Sequence, residues 1–88
     1  MGREMNEKIL RALVEAGAVK RVRIIANGAF FHIEADTQNG SITVSTLKGA
    51  IKTWCSLDTA AKWVRSVGLG AARIEIAKWQ PGQKGFRL

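Results

Sequence analysis

The sequence predicts one α+β domain in which an antiparallel sheet packs against two helices. Three observations predict this class: an amphipathic helical pattern comes first, three alternating strand patterns follow, and a second helical pattern precedes a last strand. A chain of 88 residues has the length of one small domain, so we expect a single domain over 1–88 with a basic tail at 80–88. The predicted order is α-β-β-β-(β)-α-β.

The first predicted helix spans residues 5–16. Apolar side chains recur there at intervals of three and four residues, and Gly17 is the expected stop. The apolar stripe is wide for so small a domain. Leu10 and Val14 therefore have two interpretations, a place in the core under the sheet or a contact with a second copy of the chain.

Three strands are predicted next, over residues 21–26, 29–36 and 41–47. Asn27-Gly28 and Asn39-Gly40 separate them, and both pairs are typical of the type I′ turn of a two-residue hairpin. The sequence therefore predicts an antiparallel meander. The side chains expected to face the core are Val22, Ile24, Ala26, Phe31, Ile33, Ala35, Ile42, Val44 and Thr46.

Residues 50–54 give the meander a fourth short strand if they pair with it. Ser56 then stands at the N-cap position of the second helix, and Gly68 ends that helix. Its buried stripe is predicted to contain Leu57, Ala60, Ala61, Val64 and Val67. A last strand over 71–78 is predicted to place Ile74 and Ile76 toward the core.

The balance of charge favours an anionic partner. Fourteen Lys and Arg oppose seven Asp and Glu, which gives a net charge of +7. Such a surface attracts nucleic acid or an acidic protein. No apolar run approaches the ~20 residues of a membrane span, and no signal peptide is indicated, so we expect a cytoplasmic protein without a membrane partner. The single cysteine, Cys55, fits a reducing compartment and is expected to be buried.

Catalysis is not predicted. His32, Glu34 and Asp36 share one face of a strand and are the only cluster that resembles an acid/base or metal set. We interpret them as the solvated polar face of an antiparallel sheet. No glycine-rich loop has the Gly-Lys-Ser/Thr ending of a phosphate-binding P-loop. The prediction is a non-enzymatic protein with no cofactor and no metal.

A binding surface is predicted from cations interleaved with tryptophans. Cationic side chains contact phosphates, and indole rings stack on bases. The candidate contact residues are Lys48, Lys52, Trp54, Lys62, Arg65, Lys78, Lys84 and Arg87. The alternative for each of Trp54, Trp63 and Trp79 is a place in the core, where tryptophan is buried on average.

Several motifs carry a resemblance to a known family. They are Ala18-Val19-Lys20, Ile24 to Gly28, Phe31-His32-Ile33-Glu34 with Asp36, Thr46-Leu47-Lys48-Gly49, Lys52-Thr53-Trp54, Leu57 to Arg65 with Gly68, and Trp79-Gln80-Pro81-Gly82-Gln83. With these motifs the stretch 6–88 resembles the small ParC-family partition-associated proteins of plasmids and integrative elements of proteobacteria. The resemblance implies an accessory encoded near a ParA ATPase and a ParB-type centromere-binding protein, and it implies no catalytic residues.

Residues 80–88 also have a weaker likeness of their own. They are similar to the Pro-Gly-basic-Lys-Gly strand entry of transcriptional positive coactivators that bind single-stranded DNA, in which a further strand and a long helix follow. The leading hypothesis is a homodimeric bacterial accessory of plasmid partition that binds DNA or its ParA/ParB-type partners through a basic surface. The alternatives are a protein-interaction module without affinity for nucleic acid and a single-stranded nucleic-acid-binding protein.

Overall fold

Five strands form one sheet, with the order β1-β4-β3-β2-β5, and two helices pack against it. The computed structural model describes residues 4–80. Its elements are β1 (Glu4–Met5), α1 (Glu7–Glu15), β2 (Val19–Gly28), β3 (Phe30–Thr37), β4 (Gly40–Val44), α2 (Leu57–Ser66) and β5 (Arg73–Trp79). The predicted α+β class is confirmed. The predicted tail lies outside the described residues except for Gln80.

The sheet is mixed, whereas the prediction was an antiparallel one. The central meander β2-β3-β4 is antiparallel as expected. Both outer strands run parallel to their neighbours, β1 beside β4 and β5 beside β2. A parallel pair needs a long crossover connection, and residues 45–72, which include α2, provide the one that leads into β5. Met5, predicted as helical, lies in β1 opposite Val44 and is buried.

Both hairpins form, but neither has the predicted type I′ turn. In the first hairpin Asn27 pairs with Phe30, so the loop is Gly28 and Ala29. Gly28 has a φ of 69°, and every described residue other than glycine has a negative φ. A positive φ at the first central position alone is the pattern of a type II′ turn, which requires glycine there. The second loop is also shifted by one residue, but toward the N-terminus, because Gly40 pairs with Thr37.

Helix α1 has a buried and an exposed side. Asn6 is its N-cap, and its side-chain Oδ1 accepts a hydrogen bond from the backbone N of Ile9 at 3.1 Å. Leu10 is 0% exposed and belongs to the core, and Val14 packs against the core. Leu10 therefore has no surface to offer a second copy, so that interpretation of Leu10 was wrong.

Helix α2 begins as predicted, because the hydroxyl of Ser56 accepts a hydrogen bond from the backbone N of Thr59 at 3.2 Å. The residues before it do not form a fourth strand. Residues 50–54 touch the sheet through two isolated bridges, Ser45 with Ile51 and Phe31 with Trp54. Cys55 is exposed, contrary to expectation.

The core lies between one face of the sheet and the two helices. It contains Met5, Leu10, Val22, Ile24, Ala26, Phe31, Ile33, Ala35, Val44, Ala60, Val64 and Val67. The expected inward faces of β2 and β3 are thus confirmed. Strand β5 departs from its prediction, because Ile74 and Ile76 are 47% and 51% exposed. Ile74 lies beside buried Ile24 on the helix-bearing face, but at the edge of the sheet.

Candidate nucleic-acid or partner interface

A groove lies between the start of α1 and the segment 45–52. Its volume is about 850 Å³. We call it the basic groove, since its lining includes Glu7, Lys8, Arg11, Leu47, Lys48 and Lys52. Four cations and one acid give it a net positive charge. An anionic ligand is the chemistry that such a lining attracts.

The backbone of 45–52 is held by hydrogen bonds that fix where its two lysines project. The Thr46 N donates to the Ala50 O at 2.7 Å, and the Gly49 N donates to the Thr46 O at 3.0 Å. Gly49 has a φ of 90°, a conformation that residues with a Cβ rarely adopt. The Lys52 N donates to the Val44 O at 3.1 Å. Lys48 and Lys52 are therefore carried by a tight, ordered loop at the end of β4.

An aromatic wall continues from the groove toward α2. The Nζ of Lys52 lies 5.4 Å from the ring centre of Trp54, within the range of a cation–π contact. The rings of Trp54 and Trp63 are 5.2 Å apart. Both tryptophans pack against the core, so the indole of Trp54 is partly covered on the sheet side. Trp54 is therefore partly in the core, and its role as a contact residue stays a prediction.

Glu7 and Arg11 neutralise each other within the groove. The Nε of Arg11 lies 2.9 Å from a carboxylate oxygen of Glu7, and its Nη1 donates to the Ser66 O at 2.8 Å. The indole Nε1 of Trp63 donates to the other oxygen of Glu7 at 3.2 Å. Hydrogen bonds from Arg11 and then Trp63 hold the pKa of Glu7 below its ordinary value of 4.5. The net positive charge of the groove therefore comes from Lys8, Lys48 and Lys52.

The other predicted contact residues lie elsewhere. Lys62, on α2, pairs with Asp58 at 3.0 Å in a solvent-exposed contact. Arg65 lines a separate hollow of about 230 Å³ between α2 and β5. Lys78 lines a third hollow, on the sheet face opposite the helices. Lys84 and Arg87 lie outside the described residues. Of the candidate cations within residues 4–80, the structure brings Lys48 and Lys52 together.

Sequence reasoning missed the contribution of α1 to this groove. Lys8 and Arg11 are three residues apart on a helix, which places them on neighbouring positions of one face. That spacing could have indicated a basic face on the first helix. Their position opposite Lys48 depends on the short strand β1, which pairs with β4 and sets the start of α1 beside the loop after β4.

The sheet face opposite the helices, which we call the open face, carries an ion-pair network centred on Arg23. Its Nη2 lies 2.9 Å from Asp36 and 2.8 Å from Glu34, and its Nη1 lies 3.7 Å from Glu75. A hydrogen bond from Arg23, and a weaker effect of one from Ser41, hold the pKa of Asp36 below its usual value. The Asp36 carboxylate in turn raises the pKa of Arg23.

Two of the three residues considered for acid/base chemistry, Glu34 and Asp36, are thus bound by a guanidinium. The Nε2 of His32 lies 3.2 Å from the other oxygen of Glu34. Within residues 4–80, no three His, Cys, Asp or Glu side chains are grouped so that they could hold a metal ion. No helix in the same range is long and apolar enough to cross a membrane.

No protein-family model matches the chain, and no curated protein matches it.

Proposed function

We propose that this chain is a binding protein whose basic groove takes the phosphate backbone of nucleic acid. The single observation that carries this proposal is the convergence of Lys8, Lys48 and Lys52 on one open groove of about 850 Å³. Phosphate contacts by lysine release condensed counterions, which supplies sequence-independent affinity. The net charge of +7 adds long-range attraction to any polyanion.

The charged side chains that line the groove favour an anionic ligand. Its acid, Glu7, is bound by Arg11 and Trp63, so it is held as an ion-pair partner within the fold. The lysines come from α1 and from the loop after β4, which separates their charges along an open surface. Charges distributed along an open groove suit a chain of phosphates.

An acidic protein is the second candidate ligand, and one observation favours it. Leu47 stands beside Lys48 at the rim of the groove and is 87% exposed. An exposed leucine next to a lysine fits a protein surface that combines an apolar pocket with carboxylates. In both cases the resemblance to ParC-family proteins supports a role in plasmid partition, with DNA or a ParA- or ParB-type protein as the ligand.

The groove is tested by removing two of its lysines. In the variant Lys48→Ala/Lys52→Ala we expect weaker binding to labelled double-stranded and single-stranded DNA, measured by fluorescence anisotropy at several salt concentrations. For duplex DNA, the slope of log affinity against log salt should fall by about 2, since each lost phosphate contact reduces it by about one. Comparing the two DNA forms also tests the single-stranded alternative.

The matched control is Lys20→Ala/Arg21→Ala, which removes the same charge from exposed positions on β2, outside the groove lining. An equal loss in the control would mean that net charge, not the groove, binds DNA. If the unmodified protein binds neither DNA form at low salt, the nucleic-acid proposal fails. Pull-down with ParA- and ParB-type proteins, using the same two variants, then tests the protein ligand.

A further inference from the structure

Strand β5 is one edge strand of the sheet. Within the described residues it pairs with β2 alone, so the backbone N–H and C=O groups on its outer side have no strand partner in that range. Ile74, Ile76 and Trp79 on this strand are 47%, 51% and 39% exposed. Three large apolar side chains along one short edge strand favour burial against another surface.

The side chains of β5 are sorted between the two faces of the sheet. Ile74 lies beside Ile24, and the ring of Trp79 lies 5.9 Å from that of buried Phe31, so both are on the helix-bearing face. Glu75 lies beside Ile25 and Lys78 beside Asn27, and both line the same hollow of the open face. The register shift between them is a bulge, in which Ile76 and Ala77 together oppose one residue of β2.

Two copies of β5 that run antiparallel about a two-fold axis can match each other in charge and in apolar character. If Glu75 lies opposite Lys78 of the second copy, Ile74 lies opposite Trp79 of that copy. The acid then meets a base on the open face, and apolar groups meet on the helix-bearing face. A register shifted by two residues instead places Lys78 opposite Arg73, and one shifted by three places Glu75 opposite itself, so both bring like charges together.

We propose that β5 pairs antiparallel with β5 of a second copy of this chain, which joins two five-stranded sheets into one. The occupant is a second copy because charge complementarity along the strand is satisfied by the strand's own sequence. An isologous contact of this kind closes on itself, so it ends at a dimer. It also covers the apolar edge that α2 leaves exposed.

Sedimentation velocity of the full chain across a wide concentration series tests this proposal. We expect a reversible dimer of twice the 9.6 kDa chain mass. Ile76→Lys should raise its dissociation constant by at least about tenfold, because it places a charge at the centre of the contact twice. Ile9→Lys is the matched control, since Ile9 is 50% exposed on α1, and it should leave the dimer intact.

Charge reversal tests the register. Lys78→Glu should weaken the dimer, and the second change Glu75→Lys in the same chain should restore it. Far-UV circular dichroism checks the fold, because Glu75 also lies 3.7 Å from Arg23. A chain that is monomeric at every concentration overturns the proposal, as does a dimer that is disrupted by Ile9→Lys and not by Ile76→Lys. If the double variant does not fold, the two isoleucine variants decide alone.

Discussion

Replacing Leu10 with alanine is expected to lower the free energy of unfolding by about 2–5 kcal/mol. Leu10 is 0% exposed and is among the largest fully buried side chains of the described residues. Its loss leaves a cavity between α1 and the sheet, in addition to the lost transfer of apolar surface from water. Because small domains are stable by only about 5–15 kcal/mol, this single change removes a large share of the total.

Urea unfolding followed by far-UV circular dichroism, at one fixed protein concentration, measures the effect. Ile9→Ala is the control, because Ile9 precedes Leu10 on the same helix and is 50% exposed. We expect it to cost less than half as much. Equal losses in the two variants would contradict the assignment of Leu10 to the core, and would reopen the interpretation of α1 as a contact surface.

Replacing Arg23 with methionine is expected to cost about 1–3 kcal/mol at pH 7. The change removes the cation that lies between Glu34, Asp36 and Glu75. The side chain of Arg23 is only 17% exposed. Methionine keeps much of the apolar stem, so the loss reports mainly on the ion pairs and hydrogen bonds. The remaining carboxylates then repel one another across the open face.

The cost of Arg23→Met should depend on pH in a defined direction. Arg23 lowers the pKa of Asp36 in the folded state below the ordinary value of 3.8. Asp36 therefore contributes stability that is fully present above that value and is lost as the pH falls through the lower, folded pKa. We expect the difference between the unmodified protein and the variant to be largest near neutral pH and to shrink below about pH 4.

Urea unfolding of both proteins at a series of pH values from neutral to acid checks this expectation. Lys20→Met is the control, since Lys20 is exposed on the same strand and does not belong to the network around Asp36. A difference for Arg23→Met that stays constant down to acid pH would show that packing of the stem, and not the ion-pair network, accounts for the loss.

Local patterns in the sequence predicted the elements that depend on local physics. Strict alternation over β2 and β3 identified which side chains are buried, because a strand in this sheet has one covered face. Ser56 identified the start of α2 for an equally local reason, the need of the first helical N–H groups for an acceptor. The hairpins were located by their glycines, although the turn type depended on register, which a dipeptide does not specify.

What could not be predicted depends on partners distant in the sequence. Two residues, Glu4 and Met5, carry no strand pattern, and they form β1 because β4 offers an edge. Ile74 alternates like a core residue, yet its exposure depends on how far α2 extends over the sheet. The basic groove has the same origin. Lys48 and Lys52 were readable as candidates, but Lys8 joins them only through the pairing of β1 with β4.

The parallel outer strands also imply an order of assembly. The strands of the meander are joined by loops of two residues, so pairing them costs little chain entropy. Contacts between these strands can therefore form early in folding. Ile24 meets Ile74 fifty positions away, and Met5 meets Val44 across α1 and two strands. Contacts of such long range form late. The folding nucleus is therefore expected in residues 19–44, and the basic groove and the β5 edge, which need the outer strands, mature last.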